Sequence, residues 1–156
     1  MKNVLILGIG NLVLNDEGVG IHIIHLLKAI GLPAGVDVLD GGTGGLSLID
    51  TLQEYKHLIL IDAALDEYPV GTVRRLSPRY SADYPPLLSA HELGLREMID
   101  AMQLQEKIPQ IELLAISVRR CPHLGMRLSP EIRRVVPQVL QLVFEILEDK
   151  RNRRYF

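Results

Sequence analysis

Four side chains of this 156-residue chain stand where an apolar run ends or a helix is due to begin. Asp62 closes the run Leu58-Ile59-Leu60-Ile61, where a carboxylate must be solvated, paired or metal-bound. Asp40 closes Val36 to Leu39 and opens the stretch Asp40-Gly41-Gly42-Thr43-Gly44-Gly45. Glu17 follows Asp16 inside the glycine-rich stretch Gly8 to Gly20, and His91 opens His91-Glu92-Leu93-Gly94-Leu95. Glu17, Asp62 and His91 form a set of two carboxylates and one imidazole, suited to a divalent transition metal with open positions. Their spacing is long, so the set exists only if the fold assembles it. The block at His91 begins like the His-Glu-x-x-His helix of zinc proteases, but Leu95 stands where the second ligand belongs.

Gly8-Ile9-Gly10 after an apolar run invites comparison with a dinucleotide-binding loop. The comparison fails on three counts. Val13 occupies the third glycine position, and Asp40 lies 30 positions beyond Gly10 rather than about 20. Asp16 and Glu17 would also put carboxylates where a pyrophosphate must sit at the helix N-terminus. No Walker lysine is present, so no nucleotide is expected. Asp16 has a plainer role as a helix cap. Gly18 and Gly20 in a first helical turn cost helix stability, and they make sense if another body approaches the backbone closely.

The elements that must carry these residues follow from periodicity. Val4 to Leu7 and Leu58 to Ile61 are short apolar runs that read as buried strands, and Val36 to Leu39 reads as a further strand. Val19, Ile23, Leu26 and Ile30 mark a helix over about 17–30; Leu46, Ile49 and Leu52 mark a second. Gly71 to Leu76 follows Asp62 after only about eight residues, too few for a parallel crossover, so that strand should run antiparallel to its neighbour. Leu93, Met98 and Met102 mark a helix over about 91–103, and Ile111 to Val118 is the last strand. Ser129 and Pro130 suit the cap and first turn of a long amphipathic helix running to about Asp149. The expected fold is α/β: a three-layer α/β/α sandwich on a twisted, mostly parallel five-stranded sheet with one antiparallel strand. A single domain over 1–156 is expected. In such sheets ligand sites lie at the carboxyl ends of the strands, where Gly8 to Glu17, Asp40 to Gly45 and Asp62 all fall.

The remaining signals are plain. A net charge of -2 offers no footprint for nucleic acid or an anionic membrane, and the basic run from Lys150 to Arg154 suits the end of a final helix. The apolar run after Met1 is too short for a signal peptide or a membrane span. Cys121 is the one cysteine; it fits a reducing cytoplasm and, without a histidine partner, an inert thiol. His22 and His25 lie three apart on the first helix, with His25 on the solvated side near Lys28, and His57 at the start of a buried strand reads as structural.

Taken together, four blocks carry a resemblance to the hydrogenase maturation endopeptidases, which process NiFe-hydrogenase large subunits. They are Gly8-Ile9-Gly10-Asn11 with Asp16-Glu17, Asp40-Gly41-Gly42-Thr43, Ile61-Asp62-Ala63, and His91-Glu92-Leu93-Gly94-Leu95. Their order and spacing match over almost the whole chain. The resemblance implies that Glu17, Asp62 and His91 contact metal, and that the nickel is supplied by the substrate precursor. It implies an endopeptidase that removes a C-terminal extension from that precursor, with Asp40 or Asp62 assisting hydrolysis. It also points to Gly41, Gly42 and Thr43 beside the metal site, and His123 is a further candidate for substrate contact. A cytoplasmic monomer is expected. The alternative from another class is a nickel-dependent chaperone that binds the precursor without cutting it. Client specificity would reside in the irregular loops around 77–90 and 119–128.

Overall fold

The computed structural model describes residues 2–42, 45–87, 95–121 and 123–153. Three runs buried on both faces, β1 (Lys2–Ile9), β3 (Tyr55–Ala64) and β5 (Gln110–Ser117), form the middle of a five-stranded sheet. β2 (Val36–Gly42) and β4 (Val73–Leu76) are its margins, in the order β2-β1-β3-β5-β4. The pairs β1–β2, β1–β3 and β3–β5 are parallel. β4 is antiparallel to β5, with Val73 opposite Ile116 and Leu76 opposite Leu113. The short connection after β3 thus decides the strand's direction, as expected.

The helices α1 (Val19–Ile30), α2 (Ile49–Leu52), α3 (Leu95–Leu104) and α4 (Pro130–Asn152) divide between the two sides. On one side Leu5, Leu7, Leu58, Leu60 and Leu113 pack with Leu52 of α2 and Leu95, Met98, Ile99 and Met102 of α3. On the other, Ile6, Ile59, Ile61, Leu114 and Ile116 pack with Val19, Ile23, Ile24 and Leu27 of α1 and Ile132, Val139, Val143 and Ile146 of α4. The period-2 alternation of the strands feeds both cores, which gives the three layers. β4 is fastened by polar contacts: Arg75 reaches Glu112 on β5 at 3.4 Å and Asp149 on α4 at 3.2 Å. Ser77 Oγ donates to the same buried Glu112 at 2.9 Å.

Several boundaries differ from the periodicity. The first helix begins at Val19, not 17; a 3-10 turn over Asn15–Gly18 precedes it. A 3-10 turn, Gly45–Leu48, also takes most of the second predicted helix and leaves α2 a single α turn. The last helix continues to Asn152. Its start is as read: Ser129 Oγ accepts the Ile132 N–H at 3.4 Å, and Pro130 occupies the first turn. Among the described residues no helix is long and apolar enough to cross a membrane.

Candidate active site

Strand register brings the acidic strand ends to one edge. Asp40 pairs with Gly8, and Gly8 pairs with Ile61, so the three form one row across β2, β1 and β3. Asp62 is the next residue, opposite Ala115 on β5. Two interstrand steps put the β2 and β3 backbones about 10 Å apart. Alternation then separates the side chains. Ile61 belongs to the α1–α4 face and Asp40 shares its row, whereas Asp62 falls on the face of Leu58, Leu60 and Ala64, toward α3. Asp62 is fully buried, at 0% exposure.

The stretch after β1 folds inward over this edge. Asp16 and Glu17 in the 3-10 turn are both buried, at 8% and 7%. Here two expectations are corrected. Asp16 does not cap α1, whose first turn has no side-chain cap; its Oδ1 accepts the Ser129 N–H at 2.7 Å instead. Nor do the glycines leave room for a partner. A Cβ on Gly20 would strike the Ile61 carbonyl oxygen and stand 2.9 Å from that of Ile9, and one on Gly8 would strike the carbonyl oxygen of Gly20. A Cβ on Gly18 would lie 2.8 Å from Leu12 Cα. The close approach is internal: α1 lies hard against the ends of β1 and β3. This seats the turn carrying Glu17 over the end of the sheet where Asp62 arrives.

Asp40 is held at both oxygens. Oδ1 accepts the Gly42 N–H at 2.9 Å, and Oδ2 lies 3.3 Å from His25 Nε2. His25 is exposed, as its place on α1 implied, but it faces Asp40 rather than solvent alone. Gly41 is buried against Leu7 and Ile9, and Gly42 has a positive φ of 46° that lets the strand turn away. Thr43 and His91 lie outside the described residues. One turn before His25, the half-buried His22 has no hydrogen-bond partner for Nε2 among the described residues. Burial, then the neighbouring His25, lowers its pKa from the ordinary histidine value, against a smaller upward pull from Asp16.

Asn15, which drew no attention in the sequence, organises the opposite rim. It adopts φ 53°, a left-handed conformation that asparagine tolerates. Its N–H donates to Gly125 O at 2.8 Å and the Gly125 N–H donates to Val13 O at 2.8 Å, forming a parallel bridge between Leu14 and Gly125. Its side chain donates to His123 O at 3.0 Å and to Cys121 Sγ at 3.6 Å, and accepts the Arg127 N–H at 3.2 Å. The loop carrying exposed His123 is therefore pinned beside the turn that bears Glu17. The local signal was an Asn-Asp pair before a helix; its partners, more than 100 residues away, left no trace in local spacing.

A separate cavity of about 460 Å³ lies at the other end of the sheet, between the starts of β1 and β2 and the second half of α4. Val4, Pro33, Val36, Phe144 and Leu147 line much of it, with no clustered acid and imidazole to hydrolyse a peptide. The carboxyl edge is the candidate site: it gathers the buried carboxylates of Glu17 and Asp62, with Asp40 on the opposite face of the sheet. Carboxylates there can bind a cation or take a proton from water.

Residues 21–146 match the family model described as hydrogenase maturation protease. The chain is 30% identical over 151 residues to the hydrogenase 2 maturation protease of Escherichia coli, covering 94% of this chain and 91% of that protein. It is 31% identical over 155 residues to the hydrogenase expression/formation protein HoxM of Azotobacter vinelandii, covering 95% and 73%. Its structure resembles that of the hydrogenase maturating endopeptidase HybD from E. coli, with a TM-score of 0.84 at 30% identity over 96% of this chain and 93% of the other.

Proposed function

Because the chain belongs to the hydrogenase maturation proteases, a family of endopeptidases, we propose that it removes the C-terminal extension from a NiFe-hydrogenase large-subunit precursor. Nickel already seated in the precursor is the feature it recognises, so the metal arrives with the substrate. Glu17, Asp62 and His91 contact that nickel. Three protein groups leave positions for the precursor's own ligands or water. Asp40 or Asp62 takes a proton from the attacking water. Gly41, Gly42, Thr43 and His123 contact the substrate chain. The enzyme works as a cytoplasmic monomer of one domain.

The observation that carries this reading is the burial of Glu17 and Asp62 at the carboxyl edge of the sheet. A carboxylate set back from bulk water attracts strongly a cation brought beside it, as a docking partner's metal would be. The fixed Asp40 turn supplies a third carboxylate at the same edge, on β2, with β1 between it and β3.

The test is processing of nickel-loaded precursor by Glu17→Gln, Asp62→Asn, His91→Ala and Asp40→Asn enzymes of verified fold. Losses on the order of a hundredfold are expected, the range of a lost general base. The first three variants should also lose nickel-dependent binding of the precursor, and Asp40→Asn should retain it. Full-rate cleavage by the Asp62→Asn or His91→Ala enzyme would overturn the assignment. A stable complex of wild-type enzyme with uncut, nickel-loaded precursor would leave a binding role alone.

A further inference from the structure

Three large apolar side chains are left in solvent on the rim that Asn15 builds. Val13 is 46% exposed, Leu124 79% and Met126 57%. They stand on the two segments joined by the Leu14–Gly125 bridge, so five hydrogen bonds from Asn15 and Gly125 hold them in one place. Fixed apolar groups that the fold does not bury mark a contact surface. Arg120 and Arg127 are exposed on the same loop, and neither has an ion-pair partner among the described residues. The rim is thus apolar and basic, whereas the neighbouring edge is acidic. The rim is also continuous with the candidate site: Asn15 is two residues from Glu17, a chain distance of at most about 7 Å.

We propose that this rim receives the precursor's C-terminal extension as a short extended segment bearing a large apolar side chain and a carboxylate. The proposal rests on the processing role proposed above. The apolar side chain lies on Val13, Leu124 and Met126, and the carboxylate pairs with Arg120 or Arg127. The opposite charges of rim and edge orient the segment: its acidic part is repelled from Glu17 and Asp62 and drawn outward. Engagement falls within a few residues of the scissile bond, since an extended chain advances about 3.3 Å per residue. Asn15 is a positioning residue that holds the receiving surface together.

The test uses the whole enzyme with each large-subunit precursor of its source organism, nickel-loaded, and with a labelled synthetic peptide of the extension. A triple Val13→Ser, Leu124→Ser, Met126→Ser variant should raise KM about tenfold with kcat nearly unchanged, and weaken peptide binding about equally. An Arg120→Glu, Arg127→Glu variant should do the same and regain affinity for a peptide whose carboxylates are changed to lysine. Asn15→Ala should raise KM, and Asn15→Asp should not restore it, because the carboxylate cannot donate to His123 O. Wild-type cleavage with unchanged KM in both surface variants would overturn the proposal and leave the processing role intact. Should wild-type enzyme cleave no precursor, the processing role fails, and unaltered peptide binding by the triple variant overturns this proposal too. Self-association that the triple variant abolishes, with KM unchanged, would give the rim to a second copy of the chain and also overturn it.

Discussion

Asp16 accepts the backbone N–H of Ser129 at 2.7 Å, so the turn before the first long helix is bonded to the cap of the last one. Ser129 in turn caps α4 through Ile132. Two helices that share the α1–α4 core are therefore registered at the same end, beside Glu17.

Removing that acceptor should be felt as stability. Asp16 is buried, and a hydrogen bond to an ionised group contributes about 1.5–3 kcal/mol. Asp16→Ala should lose about that much in urea unfolding, and Asp16→Asn, which keeps a carbonyl oxygen, about half. An alanine variant as stable as wild type would show that Ser129 N–H finds water at no cost.

Gly20→Ala should be among the most damaging single substitutions. Its Cβ would meet backbone oxygens of Ile61 and Ile9, neither of which can rotate away. Overpacking costs of about 1–3 kcal/mol are usual where side chains adjust, and here the obstacle is backbone. The midpoint of thermal unfolding should fall by about 10 °C or more. Unaltered melting with weakened precursor binding would instead favour an outward role for this glycine.

His22 should make stability depend on pH in a stated direction. Its folded pKa is lowered, so the unfolded chain takes up the proton first. The neutral ring's contribution is fully present above the unfolded value of about 6.5. It is lost progressively as pH falls from there toward the lower folded value. Unfolding free energy measured from pH 7.5 to 5 should decline less steeply in His22→Gln than in wild type. Parallel curves would remove His22 from the explanation.

The His25–Asp40 contact makes the opposite prediction. Both side chains are substantially exposed, and pairs of this kind contribute at most about 1 kcal/mol. His25→Ala should melt within a few degrees of wild type. If Asp40 assists cleavage, the same variant should lower kcat on nickel-loaded precursor while leaving KM in place, and His25→Gln should recover part of the loss. A rate equal to wild type would free Asp40 from any dependence on this ring.

How much of this was legible from residue order depends on the range of the interaction. Short, largely apolar runs marked β1, β3 and β5, and the eight residues before Gly71 foretold the antiparallel margin. Ser129 and Pro130 announced α4 because caps act over three residues. Asp16 was misread for the same reason. An acid before a helix suggests a local cap, and its actual partner lies 113 positions away. Gly18 and Gly20 misled differently, since a missing side chain marks close approach without saying from which side. Asp40 and Asp62 were picked out because carboxylates are conspicuous after apolar runs, and Glu17 because it stands between glycines where a helix is due to begin. Asn15, with an unremarkable side chain, was not.

The sheet's two margins bear on what the protein does at high concentration. β4 has only four residues, two of them Arg74 and Arg75, and β2 carries Asp37 and ends in glycines. Short, charged edges are poor templates for strand addition, so neither invites the stacking that starts fibrils. Edges of this kind also give the chain's own copies little to pair with.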